Sequence, residues 1–378
     1  MRTTISVTAV VALSATLLQP VRADERALRQ AVSLPAAAMW LDYKAPGFLL
    51  AVVRGTDAVV LGFGETAAGS GVEPNGRTIV RVGSIAKVFA GQLLADLANA
   101  GKVRLADPAQ RFLPEFRLPQ AQGRPITLVD LATHTAGLPR ELPGEPIAGA
   151  DPFARFSWEN YKAYLATATL ASAPGTAAAY SNLGFGLLGR ALEGATGQPY
   201  ATLLQDRITG LLGMPDTVLR LNEEQQKRLM TGHDFDGKPM PPFEASDAMA
   251  ASGGLYATAD DMIAFMRWHL DRNSLADGTV RVVDHAIYVP RDGLSMVLGF
   301  DEAGRMDGLG LAWLALMPQG PRPFILQKSG GIQGFFSYVA LAPAHGVGIF
   351  VVANKFDFGA FFRMTAAVNQ LVTELAPR

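Results

Sequence analysis

Apolar residues follow a strand-like pattern near both ends of the chain. Apolar and β-branched residues at 48–54 and 58–63 flank Gly55-Thr56-Asp57, which predicts a β-hairpin. Three further apolar runs, at 324–328, 335–341 and 348–353, are separated by glycine and proline residues and predict strands. Because the strand pattern is concentrated at the two ends, we expect a single sheet to which both ends contribute.

Apolar residues recur at helical spacing elsewhere in the chain. One helix is predicted to begin at Ser84 and to end before Gly101, a residue type that suits a helix C-terminus. Others are predicted at 181–197, at 262–270 after the capping pattern of 258–261, and at 358–376. An amphipathic helix at 26–41 is predicted to carry its apolar side on Leu28, Ala31, Leu34 and Met39. The middle of the chain is therefore expected to be a mainly helical insertion.

The N-terminus has the features of a secretory signal peptide. Arg2 precedes a short apolar run at 5–18, and Val21-Arg22-Ala23 places small or modest residues where a signal peptidase cuts. We predict that residues 1–23 are removed after Ala23 and that the protein is exported, with a periplasm as the preferred compartment. The alternative is an uncleaved membrane anchor, for which the run is shorter than the roughly 20 residues that a spanning helix needs.

The composition of the chain argues against several classes of function. The 378 residues are 49% hydrophobic and carry a net charge of −1 without a basic tract, so no nucleic-acid partner is expected. The absence of cysteine excludes disulfides and thiolate catalysis. No two of the five histidines have metal-ligand spacing, and no phosphate-binding glycine loop or Gly-x-Ser-x-Gly elbow occurs. We therefore expect neither a metal nor a cofactor.

Ser84-x-x-Lys87 is the first candidate for catalysis. Residues at i and i+3 share one face of a helix, so the lysine amine lies within reach of the serine hydroxyl. A serine is a weak nucleophile until a base removes its proton, and a lysine can do so when burial or positive neighbours disfavour its charged form. Taken alone the pattern is short, and most such pairs are solvated helix faces.

Two later patterns complement the first. Tyr180-Ser181-Asn182 opens the second clear helix, where a phenol can shuttle protons and an amide can bind a substrate amide. Lys328-Ser329-Gly330-Gly331 is predicted to end a strand, where the lysine can face a carboxylate and Gly331 N–H can join Ser84 N–H in an oxyanion hole. The alternatives are a packed tyrosine with Ser181 as helix cap, and a plain strand-ending turn.

The order and context of the three patterns carry more information than each one alone. Together they resemble the serine β-lactamase and penicillin-binding-protein superfamily, and Tyr-x-Asn in the second motif resembles its class C β-lactamase-like branch. The chain is similar to the D-alanyl-D-alanine carboxypeptidases/endopeptidases of that branch over nearly its whole mature length, including the segments 125–141, 308–313, 327–336 and 371–375.

The resemblance implies a fold and a set of roles. The fold would be α/β (α+β), with an antiparallel sheet flanked by helices in residues 24–85 and 300–378, a mainly helical region at 86–299, and the active site between them. Ser84 would be the acylated nucleophile, with Lys87 and Tyr180 as the proton-transfer pair, in which the base is left open. Substrate would be bound by Asn182, Lys328, Ser329 and Gly331.

Three functions follow as hypotheses. The first is a D,D-peptidase, a D-Ala-D-Ala carboxypeptidase/endopeptidase that acts on peptidoglycan peptides and is acylated by β-lactams. The second is a class C-like β-lactamase or an esterase with the same site, and the third is a non-catalytic sensor that binds muropeptides or β-lactams. Glu141, beside Arg140, occupies the position where class C β-lactamases carry a glutamine that contacts the substrate amide, which favours a peptide substrate. For His134 we predict a structural hydrogen bond, and for Trp313, Phe335 and Phe336 a place in the core or the cleft wall.

Overall fold

The computed structural model describes residues 23–144, 153 and 155–376. Residues 1–22 of the predicted signal peptide therefore lie outside the described part. None of the helices described there combines the length and the hydrophobicity needed to cross a bilayer. The described helices are α1 (Ala23–Tyr43), α2 (Ala86–Asn99), α3 (Leu128–Ala132), α4 (Trp158–Leu165), α5 (Asn182–Thr196), α6 (Tyr200–Leu204), α7 (Glu223–Gln226), α8 (Ala259–Leu270), α9 (Gly278–His285) and α10 (Phe358–Leu375).

One large sheet organises the fold. Among the described residues its strands run in the order β2-β1-β12-β11-β10-β9-β8-β6, and every neighbouring pair is antiparallel. These strands are β1 (Gly47–Arg54), β2 (Asp57–Gly64), β6 (Val289–Pro290), β8 (Gly308–Leu309), β9 (Leu314–Leu316), β10 (Ile325–Ile332), β11 (Phe335–Ala342) and β12 (Val347–Ala353). Short pairs form between β3 (Ile79–Arg81) and β5 (Tyr256–Thr258), and between β4 (Ala178–Ala179) and β7 (Val297–Leu298).

Strands from the two ends of the chain pair side by side near one edge of this sheet. β1 pairs with β12 from Phe48 opposite Ala353 to Arg54 opposite Val347. Successive side chains of a strand point to opposite faces, so Leu49 and Ala51 enter one core while Phe48 and Leu50 enter the other. The predicted single sheet built from both ends is confirmed, as is the antiparallel α/β fold class.

Helices cover both faces of the sheet. α1 and α10 pack together on one face, whereas α8 packs against β1 and β12 on the other, in the core that also holds α2 and α5. The division of the chain into a sheet region and a helical region stays a prediction. The sheet already takes up Val289 and Pro290, ahead of the boundary that we drew at residue 300.

The apolar side of α1 differs from the prediction. Leu28 and Met39 are buried as expected, but Leu34 is 78% exposed and Ala31 is also exposed. The buried stripe instead consists of Leu28, Val32, Ala36, Met39 and Tyr43. These residues follow the 3.6-residue repeat over the whole helix, whereas Ala31 and Leu34 lie off this stripe.

Candidate active site

Ser84 lies at the junction between a strand and a helix. It is in the 3-10 turn Gly83–Ile85, which leads directly into α2, so the predicted first helical turn is a 3-10 turn rather than part of the α-helix. α2 is buried over most of its length and ends with Gly101 in the left-handed conformation, as predicted from its position. Ser84 itself is only partly buried and forms part of the wall of a cavity.

Lys87 is fully buried one turn after Ser84. Its Nζ lies 3.2 Å from Ser84 Oγ, donates to Asn182 Oδ1 at 2.6 Å, and donates to the backbone carbonyl of Ser252. Burial lowers the pKa of Lys87 well below its usual value, and the positive charge of Lys328 lowers it further. A neutral amine has two N–H groups, which the two oxygen acceptors engage, and one lone pair, which is left for the proton of Ser84.

Tyr180 follows β4 and packs against positive groups. Its ring stacks on His134 at 4.5 Å between centroids, and Arg140 Cζ, Lys328 Nζ and Lys87 Nζ lie 4.6, 4.7 and 4.9 Å from its centre. Burial raises the pKa of Tyr180, while its hydrogen bond with Ser84 and the charge of Arg140 oppose the rise. The phenol therefore keeps its proton at neutral pH and shares it with Ser84 Oγ.

Asn182 is engaged by the protein at both ends of its amide. Its Oδ1 accepts from Lys87, and its Nδ2 donates to Glu141 Oε1. Burial raises the pKa of Glu141, and the bond from Asn182 opposes that rise. The residue that departs from the class C pattern thus lies beside Asn182, whose amide it holds together with Lys87.

Lys328 is buried behind the cavity wall. It is 1% exposed, and burial lowers its pKa to about 8, with the carboxylate of Glu302 opposing and the charge of Arg140 adding to the decrease. Ser329 and Gly331 line the cavity as predicted, whereas Lys328 is not among the lining residues. Arg140 is the cation that reaches the wall, so two positive groups at different depths act on this part of the cavity.

The third motif lies within a strand rather than after one. The prediction that a strand ends at Lys328 is wrong, because β10 continues to Ile332. β11 supports β10 along its length, but β9 pairs only with Ile325, Leu326 and Gln327. Pairing with β11 is enough to keep these small residues extended, and it leaves one edge of the strand facing the site.

Two backbone segments approach each other closely beside Ser84. A Cβ atom on Gly83, which has φ +52°, would lie 2.8 Å from Gly331 N, and a Cβ on Gly330 would lie 3.2 Å from Ser84 N. Ser337 Oγ donates to Val82 O at 2.8 Å and fastens the two segments together. The N–H groups of Ser84 and Gly331 are thereby brought near one another, as an oxyanion hole requires.

The cavity beside Ser84 has a volume of about 510 Å³ and an aromatic side. That volume is in the range of small-molecule sites. Its polar side consists of Ser84, Arg140, Tyr180, Glu302 and the residues 329–331. The phenylalanine wall, as we name its other side, consists of Phe235, Phe336, Phe356, Phe358, Phe361 and Phe362.

Sequence reasoning missed several of these residues. Arg140 and Glu302 carry charge into the cavity but belong to loops, and Ser252 contributes only a backbone carbonyl, which no side-chain pattern shows. His134 has the predicted structural hydrogen bond, since its Nδ1 accepts from Ser181 N at 3.0 Å. Trp313 and Phe335 are core residues, and Phe336 belongs to the cavity wall.

Comparison with known proteins agrees with this geometry. Residues 21–374 match the family model described as Beta-lactamase. The chain is 38% identical over 336 residues to the D-alanyl-D-alanine-carboxypeptidase/endopeptidase AmpH of Escherichia coli (strain K12), covering 88% of this chain and 85% of that protein. It is 29% identical over 355 residues to penicillin-binding protein 4 of Amycolatopsis lactamdurans, covering 90% and 88% of the two chains.

A solved structure shows the same fold. The β-lactamase/D-alanine carboxypeptidase from Yersinia pestis, complexed with citrate, superposes with a TM-score of 0.85 at 37% identity, covering 93% of this chain and 99% of that one. The resemblance inferred from the motifs is confirmed. The chain belongs to the beta-lactamase family of serine hydrolases.

Proposed function

We propose that this protein is an exported D,D-peptidase that cleaves D-Ala-D-Ala-type peptide bonds of peptidoglycan through an acyl-enzyme on Ser84. The observation that carries the proposal is the contact between Ser84 Oγ and a buried Lys87 amine at 3.2 Å. The 38% identity to a D-alanyl-D-alanine-carboxypeptidase/endopeptidase supports the choice of substrate.

Acylation begins with removal of the Ser84 proton. Lys87 serves as the base, because burial and the charge of Lys328 lower the pKa of its amine, whereas burial raises the pKa of Tyr180. Ser84 Oγ then bonds to the carbonyl carbon of the scissile amide, and the oxyanion is stabilised by the N–H groups of Ser84 and Gly331. The C–N bond breaks, and Tyr180 gives a proton to the leaving amine, which Lys87 restores.

Deacylation reverses the proton path. A water molecule loses a proton to the Lys87–Tyr180 pair and attacks the Ser84 ester, which releases the peptide acid and regenerates the serine hydroxyl. The rate of this step decides between a peptidase and a β-lactamase, since about 1.4 kcal/mol in the barrier changes the rate tenfold.

The open edge of β10 suits an extended peptide. Beyond Gln327 this edge has no strand partner among the described residues, so a peptide can add to it through backbone hydrogen bonds. A terminal carboxylate would then be drawn towards Arg140 and Lys328. Glu141 supports a peptide over a β-lactam as the preferred substrate, because it stands where class C β-lactamases carry a glutamine that contacts the substrate amide.

The test compares two substrates on one protein. Purified protein is incubated with cross-linked muropeptides and, separately, with a cephalosporin, and the products are separated by liquid chromatography with mass spectrometry. We expect loss of terminal D-Ala or of cross-links in the wild type, none in Ser84→Ala, and full activity in Ser33→Ala, which removes a surface hydroxyl.

Three outcomes separate the hypotheses. Rapid turnover of the cephalosporin without muropeptide cleavage would show a β-lactamase. Stoichiometric binding of both compounds without product would show a sensor. A labelled penicillin that remains attached to Ser84→Ala would contradict the Ser84 acyl-enzyme itself.

A further inference from the structure

Three polar side chains meet away from the cavity, at the ends of two helices. His269 is in the last turn of α8, and Asp284 and His285 are the last two residues of α9. His269 and Asp284 have completely buried side chains, whereas the side chain of His285 is 17% exposed. His269 is 15 residues before Asp284 along the chain, so the spacing of the residues does not predict this cluster.

The ligand atoms of the cluster form a triangle of suitable size for a metal ion. His269 Nδ1 lies 2.9 Å from His285 Nε2 and 3.5 Å from Asp284 Oδ2, and His285 Nε2 lies 3.8 Å from that oxygen. A point about 2.0 Å from all three atoms follows from these edges, which is the distance of zinc from histidine nitrogen and carboxylate oxygen. We propose that His269, Asp284 and His285 bind a zinc ion.

The polar groups of the cluster are incompletely satisfied by the protein. Trp313 Nε1 donates to Asp284 Oδ2 at 2.9 Å, but Asp284 Oδ1 and His269 Nε2 have no hydrogen-bond partner in the described residues. A buried carboxylate with a single neutral donor retains most of its desolvation penalty. A divalent cation bound by Asp284 and two imidazole nitrogens would offset that penalty.

The surroundings of the cluster favour a structural zinc site. Phe265, Trp268 and Trp313 pack edge-on against the His269 ring and exclude water from the inner side. The indole of Trp313 would position the carboxylate, as outer groups commonly do around zinc ligands. Two imidazoles and one carboxylate suit zinc, whereas calcium and magnesium prefer oxygen ligands. The side chain of His285 is 17% exposed, so an ion would reach the cluster from this side.

One nearby charge opposes cation binding. Arg281 lies in α9 with Asp284 and His285, and its positive charge acts on both histidines. Its guanidinium lies over the Trp268 ring at 5.2 Å and donates through Nη2 to Ser274 O at 2.6 Å, so these contacts hold it to one side of the cluster. Arg281→Leu is therefore expected to tighten zinc binding, which an uncharged hydrogen-bonded cluster would not show.

A metal ion at this site would have a structural role rather than a catalytic one. α8 packs on β1 and β12, and α9 packs on α2, the helix that begins directly after Ser84. None of the three ligands lines the cavity. Zinc would thus fasten two of the elements that support the nucleophile, without contacting the substrate.

The experiment measures metal directly. Mature protein is stripped with a chelator, dialysed against Zn²⁺ and then against metal-free buffer, and its zinc is counted by plasma mass spectrometry. We expect one zinc per chain in the wild type, and at least a tenfold loss of affinity in His285→Gln, which changes the exposed rim of the site. His345→Gln, in a short surface turn, is the matched control and should keep the zinc.

Two further measurements test whether the variants are folded and which ligands bind the zinc. Circular dichroism establishes whether each variant is folded, and X-ray absorption of the bound zinc should show two imidazoles and one oxygen ligand from the protein. Failure of the folded wild type to retain zinc would overturn the proposal, as would equal retention by wild type and His285→Gln. A rise in the thermal midpoint of the wild type with Zn²⁺, absent in His285→Gln, would support it.

Discussion

Lys87 differs from a surface lysine because protein groups, rather than water, accept its hydrogen bonds. Two oxygen acceptors, Asn182 Oδ1 and Ser252 O, take its N–H groups, and among the described residues no carboxylate bonds to it directly. Burial and the charge of Lys328 favour the neutral amine, while the more distant Glu141 opposes them. A lysine with a lowered pKa is the kind of base that the proposed mechanism requires.

Replacing Lys87 by arginine tests this role. Arginine keeps the positive charge but does not lose its proton in proteins, so it cannot act as a base. We expect Lys87→Arg to slow acylation by labelled penicillin by about 10²- to 10⁴-fold. Lys102→Arg, at an exposed position, should leave the rate unchanged. A rate for Lys87→Arg within tenfold of the wild type would exclude Lys87 as the base.

The same residue sets the acidic side of the pH profile. Below its lowered pKa, Lys87 is protonated and cannot accept the Ser84 proton, so the acylation rate should fall as the pH falls through that pKa and should be retained above it. Stopped-flow acylation across a pH series measures the fall. An acylation rate that stayed constant while the folded enzyme was taken to acidic pH would contradict a neutral Lys87.

Lys328 should control binding on the alkaline side. Its pKa is about 8, so its charge is present below that pH and is lost above it. The KM of a substrate with a free carboxylate should therefore rise above about pH 8, while the KM of a matched ester without a carboxylate should not. In Glu302→Gln the rise should begin at lower pH, because the carboxylate that supports the charge is gone. Identical profiles for the two substrates would mean that Lys328 does not act on the carboxylate.

At the scale of secondary-structure elements, the site depends on the contact between the Ser84 turn and β10. The glycines there are required by space as well as by backbone conformation, since a Cβ on Gly83 would meet Gly331 N at 2.8 Å. Gly101 also has a positive φ, of 68°, but its Cβ would meet nothing within 4 Å. A comparison of Gly83 with Gly101 therefore separates the effect of backbone strain from the effect of the contact with β10.

Alanine at these two positions should therefore act differently. Both variants should lose about 1 kcal/mol or more of stability from the left-handed conformation. Only Gly83→Ala should also lose acylation, by about 10²-fold or more, because the oxyanion N–H groups are pushed apart. Denaturant titration and penicillin labelling measure the two effects. Equal labelling rates for both variants would show that the approach of the two segments is not needed for catalysis.

The start of α5 allows a similar comparison. Ser181 caps this helix by accepting from Gly184 N and also donates to Pro139 O, next to Arg140. Ser157 caps α4 by accepting from Asn160 N, away from the site. Alanine at either position should lower the free energy of unfolding by about 1 kcal/mol. Only Ser181→Ala should slow acylation, through misplacement of Asn182 and Arg140, and an unchanged rate would exclude that positioning role.

At the scale of the whole molecule, the phenylalanine wall is assembled from distant parts of the chain. Phe235 comes from the middle of the chain, whereas Phe356 and Phe358 follow β12. The Phe235 ring lies 5.5 Å from the Phe356 ring and 5.6 Å from the Phe358 ring, measured between centroids. Phe235 and Phe358 are still 57% and 55% exposed. Exposed aromatic rings beside a nucleophile offer an apolar surface to one side of the substrate.

Removing one ring should change substrate preference. We expect Phe358→Ala to raise KM by about tenfold for an acyl donor with a bulky apolar side chain, and little for one with a methyl group, since about 1.4 kcal/mol of apolar contact is lost. Leu275→Ala, at a 94% exposed position, is the control. Equal changes for both donors would mean that the wall does not contact the acyl side chain.

Local sequence determined the elements and the chemistry of this protein. The hairpin at 47–64, the caps of α5 and α8 and the nucleophile-bearing turn before α2 depend on neighbours a few residues apart, so periodicity and capping patterns predicted them. The assignment of Ser84, Lys87, Tyr180 and the 328–331 segment to the site stays a prediction, which rests on the order of the three motifs along the chain.

Only the tertiary structure decided what depends on long-range contact. Pairing with β11 extends β10 past Lys328, and packing against the sheet selects Val32 and Ala36 over Leu34 as the buried side of α1. Arg140, Glu302, the phenylalanine wall and the His269–Asp284–His285 cluster come together from segments far apart in the chain. Short-range patterns establish which groups a segment offers, but the burial and the neighbouring charges that set their pKa values arise only when distant segments pack against one another.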